Sequence, residues 1–95
     1  MNVKEAVVAR FMEILKERNM RVNELANLSG ITPSTVYSML DARRKEITIN
    51  VIKKLCDGLD MTLGEFFSSP IFDELEQEIK YINSSQRTQK RPPRG

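Results

Sequence analysis

The sequence predicts an all-α fold: one small helical domain followed by a polar tail. Three observations carry this. Apolar residues recur at three- and four-residue spacing through most of positions 3–67. Thr32, Thr48 and Thr62 each stand just before such a stretch, where a hydroxyl caps a helix start. No convincing strand and no internal repeat is found. With 95 residues, one core has to serve the whole domain.

The first helix is expected over about 3–18. Val3, Val7, Phe11, Ile14 and Leu15 form its apolar face, and no Gly or Pro interrupts it. Met20-Arg21 is a short joint. Val22, Leu25, Ala26 and Leu28 mark a second, short helix ending at Ser29-Gly30, with Gly30 suited to the left-handed conformation that closes helices. Thr32-Pro33 restarts the chain, as N-cap and first helical residue. The third helix is expected over about 33–41 on Val36, Met39 and Leu40, followed by a polar, mostly basic loop at 42–46. Thr48 opens a fourth helix reaching Leu59, with Ile49, Ile52, Leu55, Cys56 and Leu59 at core spacing. Thr62 and Glu65 form a capping box for a short fifth helix bearing Leu63, Phe66 and Phe67. Ser68-Ser69-Pro70 breaks it. Phe72, Leu75, Ile79 and Ile82 then form one stripe on a sixth helical segment over 71–82. The expected organisation is a domain over 1–69, a C-terminal helix over 70–83 and a disordered basic tail over 84–95.

Composition narrows the function. The chain is 40% hydrophobic and 29% charged, ordinary for a globular protein, with no His and no Trp. A single Cys excludes an internal disulfide framework and a Cys/His zinc site, and suits a reducing compartment. Neither metal nor cofactor is expected, and no small-molecule substrate is evident. No apolar run approaches the ~18 residues of a membrane span and no signal-peptide core is present, so the expected location is the cytoplasm. Of 15 bases, four lie in 84–95, which holds no acid; the other 11 face 13 acids, a balance of −2. The basic pI therefore comes from the tail. With no His, no Gly-rich phosphate loop and no base beside Ser34, Ser38 or Cys56, an enzyme is not expected.

Residues 22–40 carry the functional signal. A short helix, a turn at Gly30 and a capped helix presenting Ser34, Thr35, Tyr37 and Ser38 make a helix-turn-helix, whose second helix enters the DNA major groove. Ala26 is small at the helix crossing, Ile31 plugs the core from the turn, and Val36 and Leu40 anchor the second helix from beneath. Through Glu24-Leu25-Ala26, Ser29-Gly30-Ile31-Thr32, Ser34-Thr35-Val36-Tyr37 and the run from Ile52 to Phe67, residues 8–67 resemble the Cro/C1-type (XRE family) helix-turn-helix domain of bacterial and phage repressors. The resemblance implies a compact five-helix, lambda-repressor-like domain that binds operator DNA, usually as a dimer. The sequence departs from the family pattern in three places. Arg21-Val22 replaces Ser-Gln at the start of the second helix, Leu40-Asp41-Ala42 replaces Glu-x-Gly, and Ile47 stands where Pro precedes the fourth helix.

By position, the resemblance implies base reading by Pro33, Ser34, Tyr37 and Ser38, with Thr32 and Thr35 at phosphate or flanking the bases. Hydroxyls fit several bases and discriminate poorly, while the rings of Pro33 and Tyr37 suit a thymine methyl. Arg21, Asn23, Arg43, Arg44, Lys45 and Asn50 complete the expected phosphate set. A solvated polar face is the plain alternative for each. Cys56 reads as a core residue. The stripe of Phe72, Leu75, Ile79 and Ile82 is expected to pair two copies, the alternative being that it packs back on the domain. The expected function is a sequence-specific, double-stranded-DNA-binding transcriptional repressor acting as a homodimer. The alternative is a protein-interaction module, antitoxin or anti-repressor-like, on the same scaffold with a protein partner.

Overall fold

Helix starts are fixed by side chains standing in for the backbone acceptors that a first turn lacks. In the computed structural model, which describes residues 1–44, 46–77 and 79, α1 spans Val3–Glu17, α2 Val22–Ser29, α3 Pro33–Leu40, α4 Ile49–Gly58 and α5 Leu63–Phe67, with a 3-10 helix at Pro70–Glu74. Thr32, Thr48 and Thr62 accept the backbone N–H groups of Thr35, Val51 and Glu65. At Thr62 the box closes, because Glu65 Oε1 accepts the Thr62 N–H at 2.8 Å. Asn2 and Glu5 form a second closed box at α1, both bonds 2.8 Å. At α2 only half a box is possible. A guanidinium has no acceptor, so Arg21 caps nothing, and Glu24 Oε1 takes the Arg21 N–H at 3.1 Å.

Helix ends follow one device used three times. Asn19 (φ 53°), Gly30 (φ 70°) and Asp60 (φ 56°) are left-handed. The next residue in each case returns its N–H to a carbonyl five residues back: Met20 to Leu15, Ile31 to Ala26 and Met61 to Cys56. Met20, Ile31 and Met61 also pack on the core. The two methionines, which carry no signal in the sequence, are thus closing residues of α1 and α4.

The core gathers Val7, Phe11, Ile14 and Leu15 of α1, Leu25 and Ala26 of α2, Val36 of α3, and Ile52, Leu55, Cys56, Leu59 and Phe66 from α4 onward. Val3, Leu28 and Ile49, expected on apolar faces, are exposed. Burial pushes the Cys56 thiol up, away from reactivity, as its core reading requires. Gly58 lets α4 cross the end of α2 closely: a Cβ there would lie 2.2 Å from Ser29 Oγ and 3.0 Å from the Ser29 backbone nitrogen.

The sixth segment corrects the expectation of a helix running on from 71. It is a tight 3-10 turn started by Ser69 and Pro70, and at Leu75 the backbone is extended (ψ 142°). Phe72 explains why it turns inward. Its ring lies 4.9 Å from Phe67 and 5.9 Å from Phe66, and Phe66 lies 4.4 Å from Phe11. Burying one more ring in this cluster outweighs extending a helix into water. Glu76 then donates its N–H to the Met1 carbonyl at 3.2 Å. The expected continuation at 80–82, Ile82 included, and the tail at 84–95 lie outside the described residues.

Candidate nucleic-acid interface

α3 is held by one side and open on the other. Val36 is fully buried and Met39 and Leu40 are half-buried against the core. Two residues along a helix is a rotation of about 200°, so Ser34 and Ser38 point away from Val36. Tyr37, 56% exposed, flanks them. Ala26 at the crossing is fully buried, Gly30 is left-handed and Ile31 packs on the core, as expected of the turn. Pro33, Ser34, Tyr37 and Ser38 are thus brought to one helix. Thr32 Oγ1 lies 2.8 Å from Thr35 Oγ1 and 3.4 Å from Ser34 Oγ, so the hydroxyls at the helix start are already paired.

Beside this face runs an open groove between Ser34, Thr35 and Ser38 on one bank and Arg44, Ile47 and Thr48 on the other. The first turn of α4, with exposed Asn50, lies at its edge. Arg21 and Asn23, at the start of α2, are also exposed. Arg43 and Arg44 lie in the loop after α3; Lys45 lies outside the described residues.

Two features of this loop are not evident in the sequence. Lys4 of α1 is 4% exposed, and its ammonium donates to the carbonyls of Asp41 at 3.0 Å and Arg44 at 2.7 Å. It ties the first half of the loop to the first helix. Its place one residue after the apolar Val3 gives no sign of burial. The second feature is a clasp. Arg43 donates through Nη2 to Asp41 Oδ2 at 2.8 Å and through Nε to both carboxylate oxygens, and its backbone N–H reaches Oδ1 at 2.9 Å. These bonds hold the Asp41 carboxyl down at about 2, so it stays ionised at any ordinary pH.

Two other basic residues donate to backbone carbonyls. Arg10 donates to the Phe66 and Glu65 carbonyls at 2.7 and 3.1 Å, pairs with Glu13 and lies 5.9 Å over the Phe66 ring. Arg18 donates to the Leu59 carbonyl. Both satisfy carbonyls at helix ends, where cations are favoured.

The expected stripe at the C-terminal segment does not form one face among the described residues. Phe72 packs on the core, Leu75 is half-buried in extended backbone and Ile79 is 73% exposed. No group of three or more metal-ligating side chains occurs among the described residues, and no described helix is long and apolar enough to cross a membrane.

A family model for the Cro/C1-type HTH DNA-binding domain matches residues 10–70. No curated protein matches the chain. Among solved structures the chain is similar to the crystal structure of the prophage Lp1 protein 11, at 34% identity and a TM-score of 0.68, covering 79% of this chain and all of that one. With its helix-turn-helix at α2 and α3 and this match over most of the folded part, the chain belongs to the Cro/C1-type helix-turn-helix DNA-binding domain family.

Proposed function

We propose that the protein is a sequence-specific transcriptional repressor that binds operator DNA as a homodimer, laying α3 in the major groove. The observation that carries this is the two-sidedness of α3. Val36 is fully buried, and the opposite side presents Ser34, Ser38 and the exposed Tyr37. Base contacts fall to Pro33, Ser34, Tyr37 and Ser38. Phosphate contacts fall to Arg21, Asn23, Thr32, Thr35, Arg43, Arg44, Lys45 and Asn50. Two copies about 34 Å apart would read a two-fold-symmetric site, and the protein would act by covering it. Since Phe72 packs within its own chain, pairing between copies falls to Leu75, Ile79 and Ile82.

Selection of bound duplexes from a random library, at two salt concentrations, tests this. A symmetric site is expected for the wild type and lost in Tyr37→Ala/Ser38→Ala, with thermal unfolding showing that the variant remains folded. Enrichment of no motif would defeat the reading. It would favour the second one, a protein-interaction module, to which one observation speaks: α3 offers no guanidinium or side-chain amide for a bidentate purine contact.

A further inference from the structure

We propose that Asp41 is an internal competitor for DNA phosphate: its carboxylate occupies the guanidinium of Arg43 and so limits the electrostatic affinity of the loop after the recognition helix. This rests on the DNA-binding reading above.

The geometry is that of a phosphate contact already filled. Nε and Nη2 of Arg43 address the two carboxylate oxygens of Asp41 at 2.8–3.2 Å. The same fork is what an arginine offers a phosphate. The two partners differ in freedom. Asp41 directly follows α3, and its carbonyl accepts from the buried Lys4 at 3.0 Å and from the Arg44 N–H at 3.0 Å. Its carboxylate also accepts the Arg43 backbone N–H. The Asp41 side chain is 27% exposed and that of Arg43 is 90% exposed. The carboxylate is therefore the fixed member and the guanidinium the member able to turn away. Arg44, next in the chain, makes no carboxylate pair among the described residues. The two adjacent arginines are unequal: one lines the groove, as Glu46 also does, without forming an ion pair among the described residues, and the other is matched by an acid of its own.

Exposed pairs are weak and are screened by salt, so a DNA phosphate can displace this one. The displacement subtracts from the gain of binding. Asp41→Asn is the informative variant. The amide oxygen still accepts the Arg43 N–H, so the turn is kept while the charge is removed.

The experiment measures DNA affinity of the full chain, at pH 7 and across roughly 50–200 mM salt, for wild type, Asp41→Asn, Arg43→Ala and the double variant. Thermal unfolding checks that each is folded. Asp41→Asn is expected to tighten binding about 3- to 10-fold at the lowest salt. It should also steepen the slope of log affinity against log salt by about 0.9, the value of one added phosphate contact. In the Arg43→Ala background the same change is expected to do nothing. Two results would overturn the proposal while leaving DNA binding in place. One is steep salt dependence in all four proteins with no gain from Asp41→Asn. The other is a gain that persists without Arg43, which would mean a general charge effect. Absence of salt-dependent binding in every protein, wild type included, would remove the DNA-binding reading and this proposal with it.

Discussion

Basic side chains behave in opposite ways on the two sides of this domain. On the side of α1 and α5, Arg10 and Arg18 reach 41–56 residues along the chain to cap helix-end carbonyls, and Arg10 lies over Phe66, one of four clustered phenyl rings. On the side of α3, Arg21, Arg43 and Arg44 are exposed, and the one ion pair there among the described residues joins residues two apart in the chain. Lys4 stands between: like the first group it donates to backbone carbonyls, but it serves the loop of the second. The same residue types are structural on one side and available for a ligand on the other. What separates them is whether a helix end lies within reach, since an unmet carbonyl in a partly buried place claims the nearest cation.

Three measurements break or sharpen this contrast. The largest effect is expected from Lys4→Met against Arg10→Met. Each removes charged hydrogen bonds to two carbonyls, at about 1.5–3 kcal/mol per charged bond, so both should lower the denaturant midpoint. Compared where both remain folded, DNA affinity should fall only for Lys4→Met, because only Lys4 holds the loop bearing Arg43 and Arg44. An equal loss of affinity in Arg10→Met would erase the distinction between the two sides.

Gly58→Ala should act on stability alone. The added methyl lies against Ser29, and overpacking of this kind costs about 1–3 kcal/mol. Ser29 Oγ is buried without a partner among the described residues. Ser29→Ala should therefore recover part of the loss, with the remaining backbone approach keeping the rescue incomplete. Full rescue in a denaturant titration would place the clash on the hydroxyl alone.

Acid should have the smallest effect near neutrality. The carboxyls of Asp41 and Glu65 are held below their usual range, the first by the Arg43 side chain and the second by the Thr62 backbone N–H. A depressed carboxyl contributes stability above its unfolded value, about 3.9 for Asp and 4.3 for Glu, and loses it as pH falls through the folded value. With no His in the chain, the unfolding midpoint should stay nearly flat from about pH 7 to 5. It should decline below about 4.5, with the Asp41 contribution fading only toward pH 2. A transition near pH 6 would point to a titrating group elsewhere.

Most of the helix-turn-helix was legible because its signals are local. Thr32-Pro33, Gly30-Ile31 and Thr62 with Glu65 act within five residues of themselves, and each forms as expected. Ala26 and Val36 were legible because helical spacing assigns them a face. The departures from expectation share a cause too. Helical spacing also promised a continuous helix through Phe72 and Leu75, yet the segment became a 3-10 turn because Phe66 and Phe67 offered Phe72 a place. Asn19 and Asp60 adopt left-handed backbone without being glycine, which sequence reading assigns to Gly first. Charge and position beside α3 single out Arg43, Arg44 and Lys45 as phosphate candidates, but say nothing of whether a partner already holds them.

By itself the sequence determined the number and order of the five helices, the turn at Gly30 and the hydroxyl face of α3. These depend on dihedral preferences, caps and periodicity, which act over a few residues. Only the tertiary structure decided the fate of the charges and of the last segment: Lys4 buried beneath the loop, Arg10 and Arg18 turned to helix ends, Arg43 clasped by Asp41, and Phe72 drawn into the ring cluster. Each depends on which backbone carbonyl, carboxylate or ring lies within a few ångströms once the helices are packed, and most of those neighbours are distant in the chain.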